Sequence, residues 1–322
     1  MIREALHNFP AQLVFDPEIK NPGNLSGYKK YIVCGMGGSH LAADLVKIAK
    51  PELDIIIHTD YGLPEMRAES LRERLVILSS YSGNTEEVID SLSSAQEKNL
   101  ALLVISVGGT LLRLAEERSL PYIQIPDMGI QTRMALGLSV KALLKVMGEE
   151  KELEKLIVVS RSMIAEDFEG RGKELALRLH GSIPVIYSSR KNYGIAYNWK
   201  IKFNETGKIP AFMNVFPELN HNEMNGFDVV EKTRELSQKF YFIFLRDESD
   251  HPRILRRMET LKALYEDRRL KTEVTNLTGE AVWEKIFSSL LMADWAAYYT
   301  AEEYRVEAEQ VPMVEEFKEL IK

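Results

Sequence analysis

The sequence predicts an α/β protein of two related units, each a parallel sheet flanked by helices. Two observations carry that prediction. Short apolar runs rich in branched residues alternate with amphipathic stretches through the first half, and after a charged stretch, 148-GEEKELEKL-156, the alternation begins again. Strand and helix in repeated succession are the pattern of a parallel sheet covered on both faces. At 322 residues the chain is long enough for two such units, each burying its own core. The spacing places the boundary near 148–155, giving an N-terminal unit over 1–150 and a C-terminal unit over 151–322.

The strands of the first half are read at 30-KYIVC-34, 54-DIIIHT-59, 74-RLVILSS-80, 101-ALLVIS-106 and 121-PYIQI-125. Each is short, rich in branched side chains and bounded by turn formers. Helices are expected near Leu41 to Lys50, Thr85 to Lys98, Leu111 to Arg118 and Thr132 to Met147. In the second half the strands are 184-PVIYSS-189, 211-AFMNVF-216, 239-KFYFIFL-245 and 272-TEVTNL-277. Helices lie between them, with a long one from about Ala281 to Arg305 and a last one from Met313 to Lys322.

Composition narrows the function classes. Apolar residues make up 45% of the chain and charges of both signs are interspersed, the balance of a globular protein. With 41 basic against 48 acidic residues the formal net charge is −7, so no electrostatic footprint for nucleic acid is present. The single cysteine, Cys34, cannot form an internal disulfide, suits a reducing cytoplasm and reads as a buried strand residue. The N-terminus, 1-MIREALHNFP-10, is not that of a signal peptide, and no window approaches the roughly 18 apolar residues of a membrane span. A cytoplasmic protein without a membrane partner is expected.

The third strand runs directly into 79-SSYSGNTEE-87. Ser79, Ser80, Ser82, Asn84 and Thr85 place five hydroxyl or amide side chains in seven positions, and Gly83 permits a tight backbone path. The next helix begins near Thr85, so its free N–H groups and the positive end of its dipole face the same space. That combination is an anion site, and a sugar phosphate fits it. Capping of a helix by Ser82 or Asn84 would need only one such residue. No lysine stands in the turn, so a single terminal phosphate suits it better than a nucleotide triphosphate.

The first strand feeds another turn, 35-GMGGSH-40. Gly37 and Gly38 let the backbone approach a ligand, and Ser39 opens the following helix. A dinucleotide fingerprint is half present, with Asp60 as a ribose partner, but His40 stands where its third glycine belongs. The turn is therefore read as lining a sugar pocket, and no cofactor or metal is expected.

The pair 35-GMGGS-39 and 80-SYSGNT-85 resembles the sugar isomerase (SIS) domain, and 203-FNETGKIPA-211 with 217-PELNHNE-223 resembles the bifunctional phosphoglucose/phosphomannose isomerases. The resemblance covers essentially the whole chain. It implies two SIS-type subdomains, a homodimer, and interconversion of glucose 6-phosphate and mannose 6-phosphate with fructose 6-phosphate. By the same match Glu205 is the base that shuttles a proton between C1 and C2. His221, supplied by the neighbouring subunit, and Lys318 assist ring opening, and Arg133 stabilises the negative intermediate. Ser39, Ser80, Ser82 and Thr85 grip the phosphate.

Chemistry permits these roles. One carboxylate can move a proton between adjacent carbons on one face of an enediol. An imidazole exchanges protons near neutral pH, and a guanidinium keeps its charge at any working pH. Residue chemistry alone does not rank Glu205 against Glu218 or Glu223, nor Lys318 against Lys322. His40 stands where a small residue is expected, and Val311 precedes Pro312 where family members often carry threonine. Two other readings share the fold: an amino-sugar phosphate isomerase or deaminase, and a regulator that binds sugar phosphate without turnover. A transcriptional regulator would need an output domain, and neither a helix-turn-helix extension nor a basic face is present.

Overall fold

The structure is a computed structural model that describes residues 2–23, 25 and 27–321. Among these residues the apolar runs form nine strands in two sheets. In the first, β1 (Lys30–Cys34), β2 (Asp54–His58), β3 (Leu75–Ser79), β4 (Leu102–Ser106) and β5 (Tyr122–Gln124) pair in the order β2-β1-β3-β4-β5, all parallel. In the second, β6 (Ile183–Ser189), β7 (Phe212–Phe216), β8 (Phe240–Arg246) and β9 (Lys271–Asn276) pair in the order β7-β6-β8-β9, again all parallel. Every strand lies within one residue, at each end, of its expected run. The α/β class and the two parallel sheets follow the alternation in the sequence.

β3 and β4 are buried at every position, which is why they read as unbroken apolar runs and not as alternating ones. Ile32, Val76, Leu78 and Val104 form one core with Val88 and Leu92 of the helix Glu86–Glu97 and Leu111 of the helix Gly109–Glu117. Cys34 is 1% exposed, and burial pushes its thiol up to about 12, so it stays protonated as a small core side chain. In the second sheet Tyr187, Phe216, Phe242 and Phe244 pack with Tyr265 of the helix Pro252–Asp267. Among the described residues no helix is long and apolar enough to cross a membrane.

The chain divides into one unit over Asn8–Met163 and another over Met1–His7 with Ile164–Lys322. The charged stretch near 150 is therefore not the break between units. It opens the helix Glu150–Ser162, which buries Leu153, Leu156 and Val159 on the first unit's side while most of its charges face solvent. The helix Ile2–His7 belongs with the second unit, where His7 meets the edge of Trp295 at 4.9 Å and Arg3 pairs with Glu169 at 3.0 Å. The last helix spans Pro312–Leu320, and Lys322 lies outside the described residues.

Two buried polar arrangements hold chain segments that matter below. In the first unit, Gln12 accepts from Gly137 N at 3.1 Å and donates to Met134 O at 2.8 Å. It thereby closes the start of the helix Leu136–Val146 and the turn Thr132–Met134 that carries Arg133. In the second unit, Asp247 accepts from Lys285 Nζ at 2.6 Å, from Ser249 Oγ at 2.7 Å and from Asn192 Nδ2 at 3.2 Å. Ser189 Oγ donates to Asp250 at 2.7 Å in the same cluster.

Replacing Gln12 by leucine leaves two buried backbone groups without partners, each costing about 1–3 kcal/mol. Urea unfolding of Gln12→Leu should show a first unit weaker by about 2–4 kcal/mol. Asp247 supplies a pH dependence. Burial opposes its charge, but Lys285, Ser249 and Asn192 outweigh burial and hold the carboxyl well below the usual range. Its stabilisation is thus present above the unfolded value near pH 4 and is lost as pH falls through the lower native value. Asp250, pushed up chiefly by burial, works in the opposite sense and blunts the effect. Asp247→Asn should be less stable than wild type near neutral pH, with a flatter decline below about pH 4 in denaturant titrations.

Candidate active site

In an open parallel sheet, ligands bind beyond the carboxyl ends of the strands where the strand order reverses. In the first unit that point lies between β1 and β3, because the chain leaves β1 for β2 on one side and then crosses back to β3. Both predicted turns follow these two strands. Ser79 Oγ donates to Ser39 O at 2.9 Å, and Tyr81 N donates to Ser39 Oγ at 3.0 Å. The glycine turn and the serine turn are therefore stitched together through Ser39, which is itself buried.

Within the serine turn the hydroxyls divide into two kinds. Ser80 is fully buried: its Oγ lies 2.7 Å from Thr85 Oγ1 and accepts from Gly83 N at 3.1 Å. Ser82 is exposed and accepts from Asn84 N at 3.3 Å, and Thr85 is half-buried at the N-cap of the helix Glu86–Glu97. Ser80 thus organises the turn, while Ser82 and Thr85 stand at its open side. Burial, with the negative charge of Asp127, pushes the Tyr81 phenol up to about 12, so it keeps its proton at neutral pH.

A third turn, 106-SVGGT-110, completes this rim and was not singled out in the sequence. Gly83 has a φ of 72°, and a Cβ there would lie 1.8 Å from Gly108 O. Thr110 N donates to Asn84 Oδ1 at 3.0 Å, and Ser106 Oγ donates to Gly108 O at 2.9 Å. The readable signal was the Gly-Gly pair directly after an apolar strand. Across the glycine turn, Gly38 approaches the Thr132–Arg133 backbone so closely that a Cβ would meet Arg133 N at 3.0 Å. Gly37, at the N-cap of Gly38–Ala49, has open space beside it. Arg133 is only 2% exposed. The first unit therefore gathers Gly37, Gly38, Ser39, Ser80, Ser82, Thr85 and the segment of Arg133 at one sheet edge. His40 is buried in the same turn, with Nδ1 2.9 Å from Asp44 Oδ2.

The matching edge of the second sheet, between β6 and β8, is built differently. There Ser189, Asn192, Asp247 and Asp250 bond to one another, and Lys285 and Lys191 pair with Asp247 at 2.6 and 3.5 Å, so the cluster satisfies its own charges.

Glu205 is the last residue of the helix Tyr193–Glu205 and is half-buried. Of the other two glutamates, Glu223 accepts from Tyr187 Oη at 2.6 Å and from the Asn214 amide, and exposed Glu218 accepts from Asn222 at 2.9 Å. His221 ends the short turn Glu218–His221 and is exposed, at a groove shared with Asn222, Asp228 and Arg268. Lys318 is exposed on the helix Pro312–Leu320 and pairs with Glu315 at 2.8 Å. Val311 is the N-cap residue of that helix. Among the described residues no group of three or more His, Cys, Asp or Glu side chains could hold a metal ion.

Residues 168–321 match the family model described as the bacterial phospho-glucose isomerase C-terminal SIS domain. A bifunctional phosphoglucose/phosphomannose isomerase from Aquifex aeolicus is 32% identical over 307 residues, covering 93% of this chain and 92% of that protein. One from Caldicellulosiruptor bescii is 30% identical over 342 residues, covering 98% and 97%. Among solved structures, a glucosamine-6-phosphate deaminase from Thermotoga maritima superposes with a TM-score of 0.70 at 16% identity, covering 97% of each chain, a likeness of fold alone. With relatives at this identity along nearly its full length, the chain belongs to the bifunctional phosphoglucose/phosphomannose isomerase family.

Proposed function

We propose that this protein interconverts fructose 6-phosphate with glucose 6-phosphate and mannose 6-phosphate through a shared enediolate. The observation that carries the reading is the serine turn. It offers exposed Ser82 and half-buried Thr85 at a helix N-terminus, braced by buried Ser80 and Ser39, at the switch point of the first sheet. Such a rim takes a terminal phosphate monoester and leaves the sugar chain to extend past it.

In the proposed reaction His221 and Lys318 assist ring opening: a proton leaves the anomeric hydroxyl and the ring oxygen gains one. Glu205 then removes the proton from C1 of fructose 6-phosphate and returns it to C2, while the hydroxyl proton on the C1 oxygen passes to the oxygen on C2, leaving C1 as the aldehyde. Arg133 offsets the charge of the enediolate. Return to either face of C2 gives the two epimers. The space beside Val311, nearly isosteric with threonine, governs rotation about C2–C3.

A homodimer fits two features of the second unit. His221 is exposed, as a residue lent to another site would be. The last helix presents Met313, Phe317 and Leu320, which are 81%, 60% and 79% exposed, along one face.

Incubation with fructose 6-phosphate should yield both aldose phosphates, and Glu205→Gln should lose at least about tenfold in turnover with sugar-phosphate affinity largely kept. Product from neither epimer in wild type would reject the proposal, and full turnover in Glu205→Gln would move the base elsewhere. Mixing inactive His221→Ala with inactive Glu205→Gln under subunit exchange should restore activity, since hybrid dimers regain one working site. No recovery despite demonstrated exchange would place His221 in its own chain's site or outside catalysis.

A further inference from the structure

We propose that Lys208 is a positioning residue that holds the base and the epimer-facing segment in one register. This rests on the reading of Glu205 and Val311 given above. Lys208 lies three residues beyond Glu205, in a turn that carries the chain from the helix toward β7. Its φ of 56° is a left-handed conformation that an ordinary side chain seldom adopts. That conformation turns the side chain back to the helix end. Its Nζ donates to the carbonyl of Glu205 at 2.5 Å and also to the carbonyl of Gln310, 102 residues away in the chain.

Both acceptors are well chosen. Glu205 O is the last carbonyl of its helix, at the end where the dipole favours a cation. Gln310 O is presented by a closed turn: the Glu307 carboxylate accepts from Glu309 N and from Gln310 N, each at 2.7 Å. Residue 311 follows at once, and Pro312 starts the helix that carries Lys318. One ammonium therefore ties the residue proposed as base to the residue preceding the one proposed to govern epimer choice. If the two segments moved independently, the carboxylate and the wall beside C2 would lose their shared geometry. A displacement of about 1 Å at a reacting group costs on the order of 100-fold in rate.

The test compares wild type with Lys208→Met, which keeps the chain length and loses the charge, and with Lys208→Arg, which keeps the donors. Lys208→Met should lower kcat for fructose 6-phosphate by about tenfold or more, with KM changed by less than about threefold. It should also shift the ratio of glucose 6-phosphate to mannose 6-phosphate formed, and Lys208→Arg should recover most of both. A merely structural lysine would lower the amount of folded protein and leave kcat per folded molecule and the product ratio alone, and that result would overturn the inference. Hydrogen exchange supplies a readout independent of activity: in Lys208→Met, amides in 205–209 and 310–315 should exchange faster together. Unchanged exchange at 310–315 would show that the clamp does not exist. If wild type turned over no hexose phosphate, the functional reading would fall, and exchange alone would decide whether Lys208 joins the two segments.

Discussion

The shape of the rim where β3 and β4 end depends on a contact that only glycine allows. Gly108 O lies 1.8 Å from where a Cβ on residue 83 would stand, and Ser82 O lies 2.3 Å from where a Cβ on residue 109 would stand. With no side chains between them, the turns after β3 and β4 bond directly, Val107 N to Tyr81 O at 3.0 Å and Leu111 N to Gly83 O at 2.8 Å. This backbone lock holds Ser80 inside, where its hydroxyl meets Thr85, and leaves Ser82 outside. Any side chain at either glycine would have to push the two strand ends apart, and the arrangement of hydroxyls would go with them.

The two units share a strand order and differ in what fills the switch point. Hydroxyls, amides and a helix N-terminus occupy the first, while the second holds Asp247 and Asp250 with Lys285 and Asn192. The carboxylates of the second are engaged with Lys285, Lys191 and neighbouring hydroxyl and amide groups, whereas the first holds no carboxylate among its turn hydroxyls. The residues proposed for catalysis in the second unit lie elsewhere in it: at the C-terminal end of the helix Tyr193–Glu205, in the exposed turn of His221 and on the last helix. One strand order thus carries two different sets of polar residues at the carboxyl ends of its strands.

Much of this was legible from residue order. The strands are short branched runs closed by turn formers, and local preference with burial makes such runs strands wherever they occur. The serine turn was readable because its members lie within seven positions, so one stretch of chain carries the whole pattern. The helix Glu150–Ser162 was less so, since its charges look like a linker until Leu153, Leu156 and Val159 are seen to be buried.

Residue order set the α/β class, the strand positions and the presence of a hydroxyl-rich turn after β3, because each follows from neighbours along the chain. Tertiary structure alone decided that Ser80 is internal and Ser82 external, and that Gly108 and Gly109 complete the rim. It also decided that Gln12 closes the turn of Arg133 from more than 100 residues away and that Lys208 reaches Gln310. These contacts join segments distant in sequence, and their geometry is set by which strands lie side by side, a property of the folded sheet that no local pattern encodes.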